Sequence, residues 1–328
     1  MVRSVGGGRF NPVEWKLAGG SDREVLGNRG AAYHRRGYLY AFLAAILGGM
    51  FPTLSTVLLR TTGPVVISGF TLFFSGLILI PYRPKLVPRR GNVGLIVAIA
   101  LVGAAVAPIL YQYGVQLSTA VNASLLSNGE VFFTSIIAFT VFGERLKRVQ
   151  LFEGLLVLAG IIVISTNLDL TGSQFLQGLT GNILLVGSTL FWSVENNLTR
   201  IASQKWGPWF VTKYRNIIGG GVVLVAVAVL SIDVNIPASA LLPLALMVGT
   251  LAATSVLVVA ALGRIGAVRT LLVFSTTSIF GAVYALVFLR EQITVVQMAG
   301  AAAMLVGIYL IQRSESSSTV EGRTAKVQ

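Results

Sequence analysis

GLIVAIALVGAAVAPILYQYG, residues 94–114, runs for 21 residues without a charge. A bilayer core of roughly 30 Å is crossed by about 20 apolar helical residues, so this stretch has the length and composition of one transmembrane helix. Barrel strands are only about 10 residues long and alternate in polarity, unlike this run. Because backbone groups in hydrocarbon must pair within the segment, a lipid-facing run of this kind is a helix. Comparable runs lie near 38–58, 64–81, 120–142, 151–166, 178–199, 209–230, 241–262, 268–289 and 295–312, which makes ten. The expected fold is therefore an all-α integral membrane protein with ten transmembrane helices. Composition agrees, since 54% of the residues are apolar and only 11% charged, a balance that no soluble domain of this size requires.

Several chemistries are disfavoured at once. The chain has no cysteine, which removes disulfides, thiolate metal sites and thiol nucleophiles. Its one histidine, His34, precedes the first apolar run, so neither zinc chemistry nor serine-histidine catalysis is expected within the membrane. No catalytic residues, metal site or cofactor are expected. Gly6-Gly7-Gly8 has no strand before it and no helix after it, so it is a poor phosphate loop. Residues 1–37 and 313–328 read as disordered tails, without a cleavable signal, leaving the first helix to direct insertion.

The formal charge of +13 could suggest nucleic acid, but the basic residues fall in alternate loops. With the N-terminus cytoplasmic, the inner segments hold 21 of the 25 lysines and arginines, among them Arg35, Arg36, Arg83, Lys85, Arg145, Lys147, Arg264 and Arg269. Arg60 and Arg290 fall outside, and Lys213 and Arg215 lie inside the seventh run. This asymmetry predicts an even number of crossings with both termini cytoplasmic, and an anionic lipid surface rather than nucleic acid as the partner of the charge.

A shift of 147 residues overlays Glu144 on Glu291, Leu146 on Ile293, Gln150 on Gln297, Gly160-Ile161 on Gly307-Ile308 and Ala120-Val121 on Ala267-Val268. A slightly smaller shift brings Gly63-Pro64 onto Gly207-Pro208 and Phe51 near Trp192. Two five-helix repeats follow, over 38–166 and 178–312. Five is odd, so the repeats must insert with opposite orientation, the arrangement of many secondary transporters. Gly143-Glu144-Arg145-Leu146 with Gln150 and Gly154, and Arg290-Glu291-Gln292-Ile293 with Gln297 and Gly300, resemble the drug/metabolite transporter superfamily, and within it the EamA-type ten-helix exporters. The resemblance spans most of residues 38–312.

An ionisable group at mid-membrane costs about 2.5–3.5 kcal/mol on insertion scales, so it should face a cavity or a partner. Glu130, near the centre of the fourth run, is the clearest case and is a candidate proton carrier or cation ligand. The alternative is a structural hydrogen bond, or a cap at a helix break near Gly129. The repeat maps Asn128 and Glu130 onto Ser275 and Thr277, which implies polar groups at matched depth around a central cavity. Ser275, Thr276, Thr277 and Ser278 could equally bond their own helix carbonyls. Glu195 sits at the same depth as Lys213 and Arg215, which suggests an ion pair, an anion-binding Arg215, or snorkelling of Lys213. Tyr111, Gln112, Tyr113, Trp192 and Tyr284 could line a pocket for a flat or amphipathic molecule, or pack as ordinary membrane aromatics. Glu144 and Glu291 stand at helix ends beside arginines and are expected to fix a turn or latch a gate.

The expected function is secondary active transport, as an exporter of small metabolites, amino acids or amphipathic drug-like compounds, in the plasma membrane, by alternating access and with proton coupling through Glu130. The alternatives are a membrane-embedded lipid-modifying enzyme, a flippase of lipids or lipid-linked compounds, and a passive pore. Enzymes of the first kind need clustered carboxylates or a histidine beside a nucleophile, and Glu130 and Glu195 are isolated in sequence.

Overall fold

The computed structural model describes residues 20–82, 93–142, 148–166 and 173–324, and among them there are helices and short connections but no strand. In chain order the helices are α1 (Gly20–Leu59), α2 (Pro64–Ile78), α3 (Val93–Leu117), α4 (Ala120–Leu126), α5 (Gly129–Phe142) and α6 (Arg148–Thr166). They continue as α7 (Ser173–Trp206), α8 (Pro208–Val229), α9 (Ala238–Ile265), α10 (Ala267–Phe274), α11 (Thr277–Tyr284) and α12 (Val295–Thr324). Both Gly-Pro pairs of the repeat serve as helix starts, with Pro64 opening α2 and Pro208 opening α8. Proline suits that position because its missing N–H would be unpaired there and its φ is already helical. α1 begins at Gly20 and α12 runs to Thr324, so helix extends into both stretches expected to be tails.

Tyr33–Leu59, Val93–Leu117, Pro208–Val229, Ala238–Ile265 and Arg269–Leu289 are long and apolar enough to cross a membrane by length and composition. Pro64–Ile78, Gly154–Thr166 and Val295–Leu310 are shorter apolar helices. Polarity is distributed the opposite way from a soluble protein. Leu242, Val229 and Val295 are more than two-thirds exposed, while Asn182, Asn197, Asn216, Glu195 and Lys213 are buried. Such a surface is stable against lipid and untenable against water, and the chain is a multi-pass membrane protein.

The most extensive pairings, α1 with α9, α6 with α12, α2 with α8 and α3 with α7, each join a helix before residue 167 to one after residue 172. The two sequence repeats therefore do not fold side by side. They interlock, and their mutual interface is the core of the molecule. Lipid provides no hydrophobic drive for this association, so close approach matters. At the α6–α12 crossing a Cβ added to Gly160 would lie 2.6 Å from the Gly300 carbonyl oxygen, a separation that only glycine permits.

The fourth and ninth runs, 120–142 and 268–289, are both interrupted, the fourth at the helix break near Gly129 that is one of the two readings of Glu130. α4 gives way to α5 at Ser127-Asn128, and α10 to α11 at Ser275-Thr276, within one residue of the positions that the repeat relates. The breaks meet: the Asn128 side-chain amide donates to Ser278 Oγ at 2.7 Å. Carbonyls around the second break are taken up locally, Ser275 Oγ donating to Leu272, Thr276 Oγ1 to Val273 and Thr277 Oγ1 to Phe274. Helices interrupted at membrane depth survive when Ser and Thr side chains or neighbouring helices serve the released backbone groups.

Candidate functional site

Glu130 stands in the first turn of α5, just past the break. That end of a helix favours negative charge through its unpaired N–H groups. The Glu130 Oε1 atom accepts from the Asn196 amide on α7 at 2.5 Å, and the Ser193 hydroxyl donates to the Glu130 carbonyl at 2.9 Å. Two residues of α7, Ser193 and Asn196, thus hold both the backbone and the side chain of one α5 residue. Next to Asn196, Glu195 is 2% exposed and forms an ion pair with Arg215 of α8. Its second oxygen accepts from Thr199 Oγ1 at 2.5 Å. Arg215 Nε donates to Asn216 Oδ1 at 3.2 Å, and the Asn216 amide donates to Ser75 Oγ on α2 at 3.2 Å. A polar chain therefore crosses the core from α2 through α8 and α7 to α5, and Glu130 lies within electrostatic reach of both Glu195 and Arg215.

The pair is seated by a change of pitch in α3. Val102–Val106 forms one π-helical turn, which presents the Gly103 backbone to α7. The Gly103 carbonyl accepts from Trp192 Nε1 at 3.1 Å, and the Glu195 side chain packs where a Cβ of residue 103 would be. Trp192, Tyr111 and Phe51 form a continuous aromatic set, with centroid separations of 5.4 Å for Trp192–Tyr111 and 5.5 Å for Tyr111–Phe51.

The residues singled out in the sequence divide into those the fold assembles and those it does not. Glu130, Glu195, Arg215, Trp192 and Tyr111 converge on α7 and its neighbours. Of the two basic candidates it is Arg215 that pairs with Glu195, whereas the Lys213 ammonium donates to the Tyr82 carbonyl at 3.3 Å. Asn128 and Ser278 hold the breaks together, while the hydroxyls of Ser275 and Thr277 bond within their own helix. Tyr284 packs on Phe288 of its own chain segment at 6.1 Å, and Tyr113 is exposed on the apolar surface. Asn196, Thr199, Asn216 and Gly103 were not anticipated. Asn196 could have been suspected from its place beside Glu195, but nothing in the sequence brings it to Glu130.

Glu291 has a definite role in the fold. Its carboxylate accepts from the N–H groups of Ala120 (3.0 Å) and Val121 (2.8 Å), so the second repeat's motif glutamate caps α4 of the first repeat. Glu144 lies outside the described residues. Beside this cap, Gln297 Nε2 donates to Asn122 Oδ1 at 2.8 Å, Asn122 Nδ2 to Asn182 Oδ1 at 3.2 Å, and Asn182 Nδ2 to the Ser165 carbonyl at 2.8 Å. Replacing Glu291 by alanine is expected to lower stability by about 1 kcal/mol, the usual cost of a lost N-cap. A melting temperature equal to wild type in purified Glu291→Ala would contradict that role.

Comparison with known proteins gives a consistent picture. The sequence profile of the EamA-like transporter family matches twice, over residues 35–166 and 179–313. An uncharacterized transporter of Methanothermobacter thermautotrophicus is 29% identical over 301 residues, covering 85% of this chain and 88% of the relative. A chloroplastic WAT1-related protein of Arabidopsis thaliana is 24% identical over 274 residues, covering 79% of this chain and 65% of the plant protein. A solved crystal structure superposes with a TM-score of 0.60 at 13% identity, over 84% of this chain and 94% of that one, and so shares the fold.

Proposed function

Because the chain belongs to the EamA-like transporter family, we propose that it is a secondary active exporter of small metabolites, amino acids or amphipathic drug-like compounds. In this reading it has ten crossings with both termini cytoplasmic, sits in the plasma membrane, and works by alternating access between two inverted repeats. The observation that carries the reading is the cluster of Glu130, Glu195 and Arg215 beside the joined helix breaks. Two carboxylates face one guanidinium, so the cluster has one negative charge in excess when all three groups are ionised. A proton on Glu130 cancels it. Protonation state and the packing of α5 against α7 are thereby linked through the Asn196 bond, which supports a proton-coupled cycle.

The interlocked core supports alternating access as well. Every principal helix pairing crosses between the repeats, so rocking one repeat against the other rearranges the whole interface at once. The test is reconstitution into liposomes, with a metabolite panel first ranked by thermal stabilisation of the purified protein at two pH values. Saturable uptake that accelerates when the opposite side is loaded with unlabelled substrate is the expected result. Uptake that neither saturates nor shows counterflow would mark a pore and defeat the proposal.

A further inference from the structure

We infer that the outer face of α1, together with α10, is a binding site for one anionic phospholipid, the phosphodiester held by Arg35 and Arg36 and an acyl chain lying over Tyr38, Leu39, Phe42 and Val273. These six residues line a groove of about 860 Å³ at the end of the bundle where α1 enters. Arg35 and Arg36 are exposed at its head, and Tyr38, Leu39 and Phe42 follow below them, 42%, 52% and 46% exposed. Helical spacing explains the alignment, since positions 35, 38, 39 and 42 fall on one face. The drop from residue 35 to residue 42 is about 10 Å at 1.5 Å per residue, the depth from a headgroup into the first acyl carbons.

The opposite face of α1 shows why this one is turned outward. Gly37 packs so closely on the end of α9 that an added Cβ would lie 2.6 Å from Ile265 Cγ2, and Ala41, Ala44 and Ala45 are fully buried. Phe42 is braced edge-on by Phe280 at 5.6 Å, which gives the groove a fixed wall. The nearby Arg264 is occupied elsewhere, lying 4.7 Å from the Tyr40 ring and donating to the Ala260 carbonyl. The charged side chains lining the groove are two adjacent guanidinium groups, whose planar forks fit a phosphodiester with two hydrogen bonds each. Basic pockets between membrane helices at headgroup level are recognised binders of anionic lipid heads, and the ring of Tyr38 suits that same level. A zwitterionic lipid brings its own ammonium group to the arginines and is the poorer occupant.

The test uses the full chain purified in detergent micelles doped with dioleoylphosphatidylglycerol, with dioleoylphosphatidylcholine as the matched neutral lipid and glycerol 3-phosphate as the headgroup alone. Lipid retention is read by native mass spectrometry, and the lipid-dependent rise in melting temperature is measured in parallel. Wild type is expected to retain one phosphatidylglycerol in preference to phosphatidylcholine. Each basic residue at a membrane surface strengthens anionic-lipid binding about fivefold, so Arg35→Gln/Arg36→Gln should weaken retention about 30-fold. Arg60→Gln/Arg290→Gln should leave it unchanged, and Leu39→Gln should reduce the lipid-dependent rise without changing the melting temperature in neutral micelles. The inference fails if phosphatidylcholine is retained equally, if the Arg35/Arg36 variant keeps the preference, or if glycerol 3-phosphate alone reproduces the stabilisation.

Discussion

Arg215→Ala is expected to abolish transport and to destabilise the protein by about 3–5 kcal/mol, the usual cost of leaving a buried charge, here the Glu195 carboxylate, without its counter-charge. Glu195 is 2% exposed, and with Arg215 gone the side-chain hydrogen bond left to it is the one from Thr199. It is not free to turn toward water, because α3 and its Trp192 contact close over it at Gly103. The variant Glu195→Gln/Arg215→Met should recover most of the stability, since no uncompensated charge remains, yet transport should stay absent. Melting curves of purified single and double variants, with uptake into liposomes beside them, separate the two effects. An Arg215→Ala protein that melts like wild type would show that the pair contributes nothing to the fold.

Glu130→Gln is expected to leave the fold intact and to remove the response to an imposed pH gradient. Glutamine retains the side-chain oxygen that accepts from Asn196, so the α5–α7 contact is preserved. What it cannot do is gain and lose a proton, and the cluster stays in its charge-balanced form throughout. Counterflow between equal pH on both sides should persist, while uphill movement driven by a pH difference should vanish. If Glu130→Gln still concentrates substrate against its gradient in response to pH, the proton passes elsewhere or no proton moves.

The parts of this molecule legible in its sequence are those where one physical constraint dominates. An uncharged run such as residues 94–114 has a single reading in lipid, and the recurrence of Glu144 as Glu291 at a shift of 147 residues marks the chain as a repeat. Equal depth alone put an ion pair between Glu195 and a basic residue of the next helix among the readings, and geometry selects Arg215. The breaks were harder. Ser127-Asn128 and Ser275-Thr276 are residues equally at home in continuous membrane helices, where their side chains bond to the preceding turn. The π-helical turn left no trace, since Val-Gly-Ala-Ala-Val at 102–106 is uniformly small and apolar. The cap from Glu291 to Ala120 and Val121 spans about 170 residues of chain, and a repeat shift aligns equivalent positions without telling which of them touch.

The absent side chain at residue 103 makes one position of α3 a choke point for change. Val106, a turn away, is 39% exposed and should accept almost any apolar replacement, whereas a single methyl at 103 displaces the carboxylate that Arg215 holds. A saturation scan across 102–106 should therefore read as a tolerant stretch with one intolerant site. Suppressors of Gly103→Ala should arise not in α3 but at residues 195 and 215. The location of the charge pair therefore hangs on one codon, and relatives that move or discard the pair are where a larger residue at this position is expected.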